Sequence, residues 1–107
     1  MPQQSTLFHN VYIWLHDDAP AGAVQTVAHA ALTLLTEIPG VQSLVVAAPA
    51  GSPHPLVDGS YALVLLMEFP DAAALDAYDS HPDHVRFVEG YKQWFSRLEV
   101  YNSSAIL

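Results

Sequence analysis

Cysteine is absent from the 107-residue chain. No disulfide framework, thiolate metal site or cysteine nucleophile is therefore possible, which excludes a stapled secreted mini-protein. Positive charge is nearly absent as well. Three basic residues stand against eleven acidic ones, for a formal net charge of −8. Nucleic-acid binding needs lysine and arginine to neutralise phosphates, and an anionic membrane surface needs the same, so neither partner is expected. No apolar run reaches the length that spans a bilayer. Met1–Gln4 lacks the basic start of a secretory leader, and His9 and Asn10 interrupt the first apolar stretch. A cytoplasmic protein is the expectation. What the chain has in quantity is apolar character, 51% of residues. That is enough for a packed core, and the length suits one domain, residues 1–107 with a core at about 7–101.

Leu7–His16 reads as a strand, with His9, Val11, Ile13 and Leu15 on one face and Phe8, Asn10, Tyr12, Trp14 and His16 on the other. Both faces are mostly apolar, so neither is expected to meet only water. Asp18-Ala19-Pro20 reads as a helix start, and helical spacing runs from Val24 to Ile38 before Pro39-Gly40 stops it. Val41–Ala48 is a second strand, Pro49–Ser60 a long loop rich in proline and glycine, and Tyr61–Phe69 a third strand. Ala72–Asp79 is a short helix. Ser80-His81-Pro82 breaks it, and another runs from Pro82 to about Trp94. Ser96–Tyr101 is the last strand and Asn102–Leu107 a tail.

The order β-α-β-β-α-β, with its second helix broken, predicts an α+β, ferredoxin-like antiparallel sheet with helices on one face. The opposite face then spans on the order of 400 Å². Tyr12, Trp14, Val64 and Leu66 would make it apolar, near the limit for a soluble monomer. A homodimer packed sheet against sheet, closing a dimeric α+β barrel, is the simplest way to cover it.

Tyr78 ends one short helix and His84 opens the next. An imidazole titrates near neutral pH and can remove a proton next to a carbonyl, while a phenol can hydrogen-bond the enolate oxygen that develops. The two residues together have the parts for cofactor-free carbon–carbon ring closure or isomerisation. The alternative is structural: a capping histidine and a packing tyrosine. His9 joins them if its strand face meets the helices; otherwise it is a core histidine bonded to backbone. His81 before Pro82 reads as a cap. His81, His84, Asp79 and Asp83 are close in sequence, but the helix break between them argues against a metal site, so no metal and no cofactor is expected.

The stretch Ala74-Leu-Asp-Ala-Tyr78-Asp-Ser-His81-Pro82-Asp-His84-Val, with Ile38-Pro39-Gly40-Val41 and the strand carrying His9, resembles the Dabb family, the stress-responsive α/β-barrel domains. The resemblance runs from Leu7 to Tyr101 and implies a dimeric barrel. Most members have no established reaction. One, olivetolic acid cyclase, closes an aromatic ring without metal or cofactor. Likeness to it implies His84 as base, Tyr78 as its assistant and His9 near the pocket. It also implies a ligand pocket between sheet and helices, with His9, Val27, Ala31, Phe87 and Phe95 as candidate binding residues. Val27, Ala28 and Ala31 stand where the cyclase has bulky aromatics, so the pocket's shape and ligand need not carry over. The expectation is a homodimer that binds a small apolar or aromatic molecule, with cyclase or isomerase chemistry as the alternative.

Overall fold

A computed structural model describes residues 6–107. Four strands and three helices follow the order β1 (Leu7–Leu15), α1 (Ala23–Leu35), β2 (Ser43–Ala47), β3 (Leu63–Phe69), α2 (Ala72–Ser80), α3 (Pro82–Tyr91) and β4 (Phe95–Ser104), with a 3-10 turn, Lys92–Trp94, before β4. The sheet is antiparallel in the order β2-β3-β1-β4. This is the ferredoxin-like α+β plan.

The alternation of β1 and β3 sets the two faces of the sheet. Val11 lies opposite Leu65, Ile13 opposite Leu63 and His9 opposite Met67, all towards the helices. Ile13, Leu63, Leu65, Met67 and Phe69 pack with Val27, Ala31 and Leu35 of α1, Ile38, Leu75 and Tyr78 of α2, and Phe87 of α3. Each large apolar side chain closed off in this way contributes about 1.5–3 kcal/mol.

Several boundaries differ from the sequence reading. Helix α1 begins after Gly22, not at Asp18. Gly22 takes φ +79°, a conformation glycine enters without strain, and no side chain caps the helix. The Asp18-Ala19-Pro20 segment belongs to the preceding turn instead. Ile38 lies beyond α1 in a turn whose Gly40 (φ +96°) brings the chain against α2; a Cβ there would sit 3.0 Å from that of Ala74. The third strand starts at Leu63 rather than Tyr61. The last strand runs on to Ser104, so Asn102–Ser104 are not tail. Pairing explains that extension. Leu7, Phe8 and His9 offer their edge to Ser104, Ser103 and Asn102, and Ala105 N–H still donates to Thr6 O at 3.2 Å. Cross-strand pairing is invisible in a local reading of a polar Asn-Ser-Ser segment.

Candidate functional site

The break between α2 and α3 builds the centre of the site. Asp71 caps α2, its carboxylate accepting from Ala74 N–H at 2.8 Å. His81 ends α2 in extended backbone and caps α3, its Nδ1 accepting from Asp83 N–H at 3.0 Å, with Pro82 in the first helical turn. The chain bends there without losing hydrogen bonds. As a result Tyr78 and His84, six positions apart, lie with ring centroids 4.7 Å apart. His9 enters from β1, 6.1 Å from the Tyr78 ring.

These three rings line a cavity of about 380 Å³ between the helices and the β1–β4 half of the sheet. Asn102, Asp79 and Lys92 supply its other polar groups, and Val11, Ile13, Leu75, Phe87, Val88, Phe95, Leu98 and Val100 much of its apolar wall. A β-bulge is needed to place Phe95 there. Trp14 pairs with Arg97, but Leu15 pairs with Phe95, so β4 carries one extra residue. Without that residue Phe95 would share the opposite face with Arg97 and Glu99.

Both lining histidines are anchored through Nδ1. In His84, Nδ1 lies 2.9 Å from the Asp79 carbonyl oxygen. A carbonyl only accepts, so Nδ1 carries the proton and the lone pair of the neutral ring is on Nε2. In His9, Nδ1 lies 2.6 Å from Asn102 Oδ1, which fixes the same tautomer with the amide oxygen so placed. Tyr78 is 1% exposed and makes no side-chain hydrogen bond among the described residues; no fully buried polar atom is left without a partner there, so its hydroxyl opens on the cavity rather than being sealed in the core. Burial, with a smaller contribution from the Asp79 charge, pushes the phenol far above its ordinary value. Tyr78 is therefore a neutral donor at the cavity wall.

Of the residues singled out from sequence, His9, Tyr78, His84, Phe87 and Phe95 meet at this cavity. Val27 and Ala31 do not. Both are fully buried on the core side of α1, under β1 and β3, and neither lines the cavity. Asn102 and Lys92 were not singled out. Asn102 fell in the segment read as a tail, and Lys92 in the second helix, where with Arg86 and Arg97 it offered at most a small basic patch. The register of β1 with β4 is the signal that would have found Asn102. Among the described residues no group of three or more His, Cys, Asp or Glu side chains is placed to hold a metal ion, and no helix is long and apolar enough to cross a membrane.

A second, shallower concavity of about 340 Å³ lies on the opposite face, lined by Tyr12, Trp14, Asp58, Tyr61, Arg97, Glu99 and Tyr101. The Arg97 guanidinium sits 4.4 Å over the Trp14 ring. Trp14 Nε1–H donates to Ser60 Oγ at 3.0 Å and Ser60 N–H to Asp58 at 2.9 Å. The Ser60 hydroxyl, its backbone N–H and Arg97 hold the Asp58 carboxyl below its ordinary range. This relay ties the end of the Pro49–Ser60 loop to the sheet.

The geometry has counterparts in known proteins. The stress responsive A/B barrel domain (Dabb) family model matches residues 7–104. A Dabb family protein with a ferredoxin-like fold from Mesorhizobium loti is 25% identical, covering 97% of this chain and 100% of its own, with a TM-score of 0.77. A dimeric ferredoxin-like protein of unknown function from Thermobifida fusca is 19% identical over 96% of this chain and 93% of its own, with a TM-score of 0.81. A hydroxynitrile lyase from Passiflora edulis is 13% identical over 95% and 94%, with a TM-score of 0.79. The two structures below 25% identity show the fold alone. Among curated proteins none matches the chain.

Proposed function

The chain belongs to the stress responsive A/B barrel domain (Dabb) family, and on that premise we propose that it works as a single-domain homodimer binding a small apolar or aromatic molecule in the helix-side cavity. One observation carries the reading. A neutral tyrosine hydroxyl opens on a largely apolar cavity beside two imidazoles that are anchored through Nδ1 and keep Nε2 for a ligand. Volume and lining match the ordinary small-molecule site, apolar walls with a few convergent polar groups. Dimerisation is supported by the dimeric Thermobifida neighbour. It is supported too by the apolar groups on the open face: Phe8, Val45 and Tyr101 are 36%, 56% and 60% exposed.

The anchoring of both histidines favours a second reading, a cofactor-independent cyclase or isomerase. His84 would abstract a proton next to a carbonyl through Nε2, and Tyr78 would donate a hydrogen bond to the enolate oxygen. The hydroxynitrile lyase neighbour shows that this fold hosts a catalyst, and its chemistry is not carried over at 13% identity.

Binding of 2-naphthol, a small fluorescent aromatic, tests the first reading. Wild type should bind it, His84→Ala should weaken binding by less than about tenfold, and Val11→Trp, which fills the cavity from β1, should abolish it with the fold intact by circular dichroism. Binding that survives Val11→Trp would place the ligand elsewhere and overturn the assignment. In the second reading, His84→Ala also abolishes turnover of a poly-β-keto substrate that wild type converts. Equal turnover by both would remove His84 as the base.

A further inference from the structure

The cavity of the proposed function is chemically lopsided along its length, and the one lysine of the chain stands at one end. His84, Val88 and Lys92 are spaced four apart, so they form one stripe along α3 and the turn that follows, with Phe87 beside it. All four line the cavity. At about 1.5 Å per residue, His84 and Lys92 lie roughly 12 Å apart along that stripe. Between them the wall is apolar: Phe87, Val88, Phe95 and Leu98. Asp79 adds negative charge at the His84 end, so an anionic group is disfavoured there and favoured at the other.

The remaining cations are committed elsewhere. Arg86 pairs with Asp83 at 2.8 Å, and Arg97 lies over Trp14 on the opposite face. Among the described residues Lys92 has only Glu89 as a partner, at 2.7 Å, in a pair whose side chains are 58% and 60% exposed. Such a pair contributes little, so the ammonium is free to exchange to another carboxylate beside low-dielectric walls. A lone ammonium suits a single negative charge. A phosphate is held best by several cationic or N–H donors, and Lys92 is the one lysine or arginine among the residues lining the cavity.

We propose that the ligand is an acidic amphiphile: an apolar or aromatic body with a carboxylate at the Lys92 end and a hydrogen-bond acceptor about 12 Å away at the Tyr78–His84 end. Lys92 is then the residue that selects acidic over neutral ligands. The inference rests on the pocket reading above, and the two fail differently.

A matched pair of probes tests it: 6-phenylhexanoate and 6-phenylhexan-1-ol, titrated by calorimetry at pH 7 and low salt. Wild type should bind the carboxylate about tenfold more tightly than the alcohol, and added salt should shrink that gap. In Lys92→Gln the gap should fall to within about twofold with the alcohol's affinity unchanged, and in Lys92→Glu it should invert. Equal or tighter binding of the alcohol by wild type, or a preference that persists in Lys92→Gln, overturns the role of Lys92 and leaves the pocket standing. If neither probe binds while 2-naphthol does, this inference falls and the pocket reading stands; if 2-naphthol fails to bind as well, both fall.

Discussion

The two faces of the sheet are made from alternate residues of the same four strands, yet they reach different ends. On the helix side, Ile13, Leu65, Met67 and Phe69 are at most 2% exposed and packed against three helices. Where that packing stops, next to β4, a cavity is left with a buried tyrosine and two tethered histidines on its wall. On the open side, Tyr12, Trp14, Tyr61 and Tyr101 meet edge to face at 5.0–6.3 Å, with one guanidinium over the tryptophan and a loop tied to it by serine and aspartate. The helix face packs within one chain and keeps its polar groups on the cavity wall. The open face has aromatic area but no covering layer, which is the condition under which a second copy is favoured. The packed core therefore lies on one face, and the proposed dimer would use the other.

Three measurements would break or sharpen that division. The largest effect belongs to the core. Phe69→Ala should cost about 3–5 kcal/mol in urea unfolding, and Val45→Ala on the open face less than about 1. Similar losses for both would show that the open face is also folding core. Next comes assembly. Leu66→Asp, which places a charge in the middle of the open face, should weaken the dimer by a hundredfold or more in sedimentation equilibrium while the helix-side cavity still binds its probe. A wild-type chain that is monomeric at micromolar concentration would refute the proposed use of this face.

The smallest effect is a pH dependence from Tyr78. Its phenol is raised above the usual 10.0 by burial, so the folded chain keeps a proton that the unfolded chain releases. The stability this confers is fully present below pH 10 and is lost as pH rises from there towards the folded value, by about 1.4 kcal/mol per unit. Urea midpoints of wild type should fall more steeply between pH 10 and 11 than those of Tyr78→Phe. Parallel curves would mean that the hydroxyl is not sequestered in the folded chain.

The strength of the sequence reading follows the range of the interaction it depends on. The two mostly apolar faces of Leu7–His16, the continuous apolar run of Tyr61–Phe69, the Pro39-Gly40 stop and the Ser80-His81-Pro82 break are local, and from them the element order and the ferredoxin-like sheet were legible. The proximity of Tyr78 and His84 was legible too, because the break that joins them is written in adjacent residues. The start of α1 was misread because an acidic residue followed by proline outweighed a glycine whose value lies in its backbone angle. Val27 and Ala31 were placed at the pocket by resemblance, and the structure puts them in the core.

By itself, then, the sequence determined which faces are apolar, where helices break, and which residue types are available at the break, since these depend on side-chain type and near neighbours. Tertiary structure decided the rest. The register of β1 with β4 set Asn102 against His9, a bulge of one residue turned Phe95 inward, and the angle between broken helix and sheet left a cavity that ends at Lys92. Each of these joins segments distant in the chain, and their meeting is fixed by strand pairing and packing that no local pattern encodes.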